Sequence, residues 1–179
     1  MGGPQPHYRA LAHEADDIVG RRPSAILPPI VVSYWALPEG LRVLPDGAWR
    51  VGGFPILHLP SLRLLKAHLF FDEDGAFIAD GAQRMPVVIE GPPFEVVSLV
   101  LDREREEVRA VLDDGTEERL DGGSLGMNEE TGRFECRVRG GRARAVFSRA
   151  AHQVLLDNAV QEGRVFHLRI GGRRIPIAT

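Results

Sequence analysis

The sequence predicts an α+β protein of two tandem, similar domains, each built from an antiparallel sheet and one main helix. Three observations predict this fold. A segment of about forty residues occurs twice, which indicates duplication. Each copy runs from strands to a helix and back to a strand, without the regular alternation that gives a parallel sheet. The 179 residues are 44% hydrophobic and 26% charged, which is an ordinary globular composition.

The two copies share the spacing of their turn residues. Each begins with a turn glycine that an aromatic residue follows two positions later, Gly47 with Trp49 and Gly132 with Phe134. The other shared features, in chain order, are the pairs Gly52-Gly53 and Gly140-Gly141, Ser61 and Ser148, Arg63 and Arg149, and the closing segments 81–87 and 171–177. Superposing the halves should therefore align Trp49 with Phe134 and Pro86 with Pro176.

The domain boundaries follow from this repeat. Residues 1–24 are predicted to form an N-terminal tail with a short helix at 10–19, residues 25–90 the first domain, and residues 91–179 the second. The pair Pro28-Pro29 forces an extended path into residues 30–35, which predicts an edge strand or a strap across the core.

One helix is expected in each domain. Leu62, Leu65 and Leu69 recur at helical spacing and predict a helix over about 60–72, which opens at Ser61 with Pro60 in its first turn. Ser148 is a good N-cap residue for a second helix over about 148–162.

The middle of the chain is rich in β-formers, with a hairpin signal at Asp113-Asp114-Gly115. The predicted core consists of Trp49, Val51, Leu65, Leu69, Phe94, Val96, Phe134, Val138, Leu155 and Phe166.

Charge and cysteine content bound the class of protein. The net charge of −3 argues against a nucleic-acid partner, because such proteins usually carry a basic excess. Cys136 is the only cysteine, which fits a reducing compartment. We find no signal peptide and no apolar stretch of the ~20 residues that a membrane span needs. We therefore predict a cytoplasmic protein without a membrane partner.

No residues form a recognisable catalytic set. The six histidines lack the close spacing of metal sites, and Cys136 lies on an apolar strand face where a buried small side chain is expected. The sequence thus predicts no catalytic residue, no metal and no cofactor. A small-ligand sensor and a protein-interaction module remain open, with an enzyme ranked third.

Arginines concentrate in one part of the second copy. Six lie between positions 133 and 149, against the single acid Glu135: Arg133, Arg137, Arg139, Arg142, Arg144 and Arg149. Guanidinium groups on a rigid hairpin grip phosphate or carboxylate with two hydrogen bonds. The alternative is a solvated strand face that the acids of residues 104–118 balance.

Several motifs together resemble the bacterial domain-of-unknown-function family numbered 1285. They are Pro28-Pro29, Asp46-Gly47-x-Trp49, Gly53-x-Pro55-Ile56, Leu62-Arg63-Leu64-Leu65, Glu90-Gly91-Pro92-Pro93-Phe94 and Val138-Arg139-Gly140-Gly141 leading to Ser148-Arg149. The resemblance implies a duplicated two-domain α+β fold whose second domain is similar to pleckstrin-homology domains. It also implies a nucleotide-like ligand at the domain interface and a role in signal transduction.

A ligand site is predicted where the two domains meet, because clefts between domains are common places for pockets. The helix openings at Ser61 and Ser148 carry free backbone N–H groups that suit an anion. The predicted ligand-binding residues are Arg63, Arg137, Arg139, Ser148 and Arg149, and the predicted ligand is anionic or nucleotide-like. A protein partner is the alternative.

Overall fold

The computed structural model describes residues 40–80, 83–102, 104–163, 165–170 and 173–177. The predicted N-terminal tail with its helix at 10–19, and the predicted strand or strap at 30–35, lie outside the described residues. No helix among the described residues is long and apolar enough to cross a membrane.

The first half of the structure is one six-stranded sheet with one helix. Its strand order is β3-β2-β1-β6-β5-β4, and only β1 and β6 pair in parallel. The elements are β1 (Leu41–Val43), β2 (Trp49–Val51), β3 (Phe54–Pro55), α1 (Leu59–Ala67), β4 (Leu69–Asp72), β5 (Gly75–Asp80) and β6 (Gln83–Ile89).

The second half has a six-stranded sheet of order β10-β11-β12-β7-β8-β9 and a three-stranded sheet of order β13-β14-β15. A 3-10 turn over Gly122–Ser124 precedes β10. The elements are β7 (Phe94–Asp102), β8 (Glu107–Leu112), β9 (Glu117–Arg119), β10 (Gly126–Asn128), β11 (Arg133–Val138), β12 (Ala143–Phe147), α2 (Arg149–Asp157), β13 (Ala159–Glu162), β14 (Val165–Ile170) and β15 (Arg173–Ile177).

The order of elements repeats along the chain. The series β1-β2-β3-α1-β4-β5-β6 recurs as β10-β11-β12-α2-β13-β14-β15, with β7, β8 and β9 between the two series. The predicted α+β class and the duplicated two-domain organisation are confirmed. The boundaries 25–90 and 91–179, and the likeness of the second domain to pleckstrin-homology domains, stay predictions.

The two six-stranded sheets each contain one parallel pair, whereas antiparallel sheets were expected; the three-stranded sheet is antiparallel throughout. β1 pairs in parallel with β6, and β12 pairs in parallel with β7. Parallel pairing needs a connection of a dozen residues or more between the two strands. Each of these pairs is separated in the chain by several other elements, so that condition is met.

Both helices are shorter than predicted. α1 ends at Ala67 rather than at 72, and α2 ends at Asp157 rather than at 162. The residues beyond them pair as strands instead, with Phe70 opposite Phe77 and Val160 opposite His167. Aromatic and β-branched side chains favour such pairing over another helical turn.

The two helices open differently. Ser148 is the N-cap of α2 as predicted, and its Oγ accepts a hydrogen bond from the Ala151 N–H at 3.1 Å. The expected opening of the first helix at Ser61 is wrong. His58 caps α1, since its Nδ1 accepts from the Ser61 N–H at 3.3 Å, and Ser61 lies inside the first turn.

Most of the predicted core is buried. This group consists of Trp49, Leu69, Phe94, Val96, Phe134, Val138 and Leu155, while Val51 and Leu65 are half-buried. Phe166 is 37% exposed, and the prediction is wrong there. It lies next to the turn between β13 and β14, at the end of the sheet. Leu168, two residues further along the same strand, is fully buried instead.

The halves meet through close backbone contact and buried polar groups. The indole Nε1 of Trp49 donates a buried hydrogen bond of 3.1 Å to the Pro93 carbonyl. Lys66 on α1 pairs with Asp113 on the hairpin between β8 and β9. These contacts hold the first sheet beside the second and define what we call the junction.

Candidate functional site

A cleft of ≈ 600 Å³ opens at the junction. We call it the junction cleft. Seven of its lining residues come from the first half and one, Arg142, comes from the second; they are Phe71, Asp72, Glu73, Gly75, Ala76, Val87, Ile89 and Arg142.

Apolar side chains from three neighbouring strands form the floor of the junction cleft. Phe71 on β4 faces Ala76 on β5, which in turn faces Val87 on β6. Ile89 lies two residues beyond Val87 and therefore on the same face of the sheet. Ala76 has the smallest side chain of the four and lies between Phe71 and Val87. The space above its methyl group is the deepest part of the cleft.

The hairpin between β4 and β5 forms an acidic rim. Asp72 accepts a hydrogen bond from the Asp74 N–H at 3.0 Å and pairs with Arg84. The hydrogen bond from Arg84 is the main reason why the pKa of Asp72 is lowered from its ordinary value. Glu73 is exposed and makes no hydrogen bond or ion pair with another described residue.

Arg142 crosses the junction from the opposite side. It follows Gly140 and Gly141, whose φ values of 64° and 90° lie in the left-handed region and form the tight turn between β11 and β12. Its Nη1 donates to the Phe71 carbonyl at 2.5 Å, on the edge strand of the first sheet. Within the described chain no carboxylate pairs with Arg142.

Some charged side chains of the junction cleft are therefore paired with each other, and others are not. Asp72 and Arg84 form an ion pair, whereas neither Glu73 nor Arg142 has a charged partner among the described residues. A guanidinium group has five N–H donors, and one bond to a carbonyl leaves several of them for a ligand. The cleft thus presents an apolar floor, one cation and one carboxylate.

A second cleft of ≈ 360 Å³ also lies between the halves. It is lined by Pro45, Asp46, Glu90, Pro92, Asn128, Glu130, Thr131, Arg133, Glu135, Arg144 and Val146. Both arginines are already paired there, Arg133 with Glu95 at 3.0 Å and Arg144 with Glu135 at 3.4 Å. The remaining acids make this cleft a poorer place for an anion.

Two of the predicted site residues bond to the hairpin between β8 and β9. Arg139 pairs with Asp114 and Glu118, and its guanidinium lies 4.7 Å from the centre of the Phe94 ring. The Nε of Arg63 donates to the Asp113 carbonyl at 3.4 Å. The structure thus brings Arg63 and Arg139 to neighbouring residues, with the charge of Arg139 already neutralised.

The other three predicted residues lie elsewhere. Arg137 is exposed and donates to the Gly141 carbonyl at 3.1 Å. Ser148 caps α2, and Arg149 beside it is exposed without a hydrogen bond or ion pair to the described part of the chain. None of the five predicted residues lines either cleft. Their role in ligand binding stays a prediction.

Arg142 belongs to the arginine cluster between positions 133 and 149 but was not among the predicted ligand-binding residues. Its position directly after a Gly-Gly turn was the available signal, because a hairpin tip can reach across to a neighbouring domain. The floor residues carried no such signal, since alternating apolar residues are common to every half-buried strand.

The described ranges contain neither a reactive thiol nor a metal-ligand cluster. Burial raises the pKa of the Cys136 thiol to about 12, with Glu118, Asp121 and Glu135 adding to the effect. The thiolate needed for nucleophilic chemistry is therefore scarce at neutral pH. No group of three or more metal-ligating side chains occurs among the residues that the structure describes.

The fold defines a class: duplicated α+β proteins with two six-stranded sheets and one helix beside each. Solved structures of DUF1285 family proteins have this fold. The protein from Silicibacter pomeroyi DSS-3 is 23% identical, with a TM-score of 0.62 over 84% of this chain and 88% of that one. The protein from Shewanella baltica OS155 is 14% identical, with a TM-score of 0.52 over 65% of this chain and 90% of that one.

The resemblance to family 1285 that the sequence motifs carry is thus confirmed in the fold. No family model matches the sequence. No curated protein matches it either.

Proposed function

We propose that this protein binds a small amphipathic molecule with an anionic group in the junction cleft. The observation that carries the proposal is Arg142, which reaches from the second half to the edge of the first sheet and lines an apolar floor. The cleft volume of ≈ 600 Å³ falls in the usual range of small-molecule sites, roughly 300–1,000 Å³.

The chemistry of the cleft indicates how such a molecule binds. A flat or hydrocarbon body covers the floor of Phe71, Ala76 and Val87. Arg142 takes a carboxylate or phosphate, and Glu73 takes a hydroxyl or amino group. A nucleotide-like molecule has all three parts. Because the ligand touches both halves, its binding stabilises one arrangement of the junction, which suits a sensor in signal transduction.

The experiment is a thermal-shift screen of the full chain against nucleotides, sugar phosphates and aromatic carboxylates. A ligand present at a hundred times its dissociation constant stabilises the folded state by ~2.7 kcal/mol. We expect at least one class to raise the melting temperature. A flat response to all three classes contradicts the proposal.

Two variants locate the site once a ligand is found. Ala76→Leu fills the cleft and should weaken binding about tenfold or more, since overpacking costs about 1–3 kcal/mol. Ala79→Leu, on the same strand but the opposite face, is the matched control and should leave the affinity unchanged. Arg142→Ala should lower the affinity for an anionic ligand by about 10- to 100-fold, because a hydrogen bond to a charged group is lost.

Arg149→Ala distinguishes this site from the one predicted from the sequence. Arg149 lies outside the junction cleft, so its loss should leave the affinity unchanged. A loss of affinity with Arg149→Ala, and none with Arg142→Ala, places the anion at the start of α2 instead.

A protein-interaction module without a small-molecule ligand is the alternative, and the outer face of the first sheet favours it. Phe70 is 43% exposed and stacks on Phe77, with ring centres 6.0 Å apart, and Val88 is 50% exposed nearby. A bound protein that Phe70→Ser releases and Ala76→Leu retains would support this alternative.

A further inference from the structure

Among the described residues, the first sheet ends at the edge of β3, where apolar side chains are exposed. β3 is the last strand of its sheet, and no described strand lies beyond it. Three apolar side chains at this edge are strongly exposed: Phe54 at 76%, Leu57 at 80% and Leu59 at 74%. We call them the apolar strip. Open strand edges with apolar surface are liabilities that folded proteins normally cover.

The corresponding edge in the second half is covered. β12 occupies there the place that β3 has in the first half, directly before the helix. β7 pairs with it in parallel, with Phe94 opposite Ala145 and Val96 opposite Phe147. The Ser148 N–H continues this ladder with a hydrogen bond of 2.9 Å to the Val96 carbonyl.

The two helix caps establish which positions correspond. His58 caps α1 and Ser148 caps α2, so Leu57 and Phe147, each one residue before its cap, are equivalent. Phe147 is 1% exposed under β7, whereas Leu57 is 80% exposed. β7 lies beside Phe147, whereas no described strand lies beside Leu57.

The chain carries a second copy of the covering segment. β7 begins in Pro92-Pro93-Phe94-Glu95-Val96-Val97-Ser98, and the sequence upstream of β1 contains Pro28-Pro29-Ile30-Val31-Val32-Ser33. Both have Pro-Pro followed by Val-Val-Ser, with a spacing that differs by one residue. Pro28–Ser33 precedes β1, β2 and β3 as β7 precedes β10, β11 and β12, so it belongs to the duplicated unit.

We propose that the open edge of β3 and the apolar strip are the docking site for residues 30–33 of this same chain, paired in parallel as β7 pairs with β12. In this arrangement Val31 stands opposite Leu57, and the His58 N–H donates to the Val31 carbonyl. Added strands of this kind combine main-chain hydrogen bonds with side-chain cover.

The chain is long enough for this docking. The described part begins at Gly40, whose carbonyl accepts from the Gly52 N–H at 3.4 Å, beside the turn into β3. The nine Cα-to-Cα steps from Val31 to Gly40 extend up to about 30 Å, which is ample to reach the neighbouring edge.

Disulfide trapping in the full chain tests the proposal. Opposite residues of paired strands have Cα atoms about 5 Å apart, within the range for a disulfide. Val31→Cys with Leu57→Cys should therefore form an intramolecular disulfide, about tenfold or more faster than Val31→Cys with Val88→Cys. Val88 is the control because it is 50% exposed on the outer face of the same sheet. The native Cys136 is buried and does not compete.

Equal rates for the two pairs, no disulfide, or a disulfide between two molecules would each overturn the proposal. The last result would assign the strand to a second copy of the chain.

Hydrogen exchange gives an independent readout without cysteines. The His58 amide should be protected in the native chain, and Val31→Asp should speed its exchange by about tenfold or more, because a charge opposite Leu57 displaces the strand. Val88→Asp should leave that exchange unchanged. A His58 amide that exchanges at the unprotected rate in the native chain would also overturn the proposal.

Discussion

Lys66 is the only lysine of the chain, and at the residue scale it has the most constrained environment. It is 6% exposed and pairs with Asp113 across the junction. The other carboxylate oxygen of Asp113 accepts from the Glu95 N–H at 3.1 Å. A lysine ends in a compact ammonium on a thin stem, so it fits a narrow buried site where the planar fork of an arginine does not.

Replacing Lys66 with Met should lower the free energy of unfolding by about 2 kcal/mol, because Asp113 is then left without its charge partner. The measurement is urea denaturation. Arg174→Ala, which breaks the exposed pair with Glu162, is the control and should cost less than about 1 kcal/mol. In the double variant Lys66→Met and Asp113→Asn, part of the loss should return. A Lys66→Met variant as stable as the native chain would contradict the inferred role.

The sequence shows which side chains are charged, but it does not show which residues they pair with in the fold. Arg139 was predicted to contact a ligand, yet Asp114 and Glu118 neutralise it. Its φ of 55° places it in a left-handed turn that the glycines after it did not reveal. Pairing between residues distant in sequence depends on how two hairpins meet, and no local pattern records that.

At the element scale, local sequence patterns identified both helices. Where each helix ends depends on strand pairing with residues further along the chain. Ser148 was recognised as a cap because its side chain and the helix start are neighbours in sequence. His58 was missed because histidine is an uncommon cap, and Ser61 three residues later was a better match to the usual pattern. Leu69 continues the apolar spacing of α1 but lies in β4, since pairing with β5 competes with another helical turn.

Removal of the α2 cap tests this local account. Ser148→Ala should lower the free energy of unfolding by about 1 kcal/mol, because the Ala151 N–H loses its acceptor. Ser148→Asp keeps an acceptor and places a negative charge at the helix start, so its stability should stay close to that of the native chain. Denaturation curves of the three proteins decide the matter. Equal losses for Ala and Asp would show that the cap itself contributes little.

At the scale of the whole molecule, the junction depends on a residue without a side chain. A Cβ on Gly91 would lie 2.2 Å from the Leu44 carbonyl oxygen and 2.5 Å from that of Pro45. The first half therefore packs against the connection into β7 at backbone contact. This approach places Pro93 where the Trp49 indole bonds to it.

Gly91→Ala should separate these backbones and cost about 1–3 kcal/mol, as overpacking does. Gly123→Ala is the control, because a Cβ there meets only the Asp121 carboxylate at 3.4 Å. Thermal unfolding with tryptophan fluorescence, in a Trp35→Phe background so that Trp49 is the only emitting tryptophan, measures both the stability and the surroundings of Trp49. A Gly91→Ala protein with native stability and fluorescence would show that the junction tolerates separation.

The duplication was predictable because each repeat leaves a local trace of glycines, prolines and aromatic residues. The junction was not. The contact of Arg142 with the Phe71 carbonyl spans 71 positions of the chain. The parallel pairing of β7 with β12 likewise depends on elements far apart in sequence. Such contacts depend on how the two sheets pack against each other, which no local sequence pattern records.

The burial of Lys66 also gives a way to measure how fast the two halves separate at the junction. Amine-directed reagents react with the deprotonated amine of a solvent-accessible lysine side chain, and the single lysine of this chain is buried between its two halves. Modification at that position therefore has to wait for the halves to part. Its rate reports how often they do so, and a ligand that bridges them would register as a slower reaction at a residue it never touches.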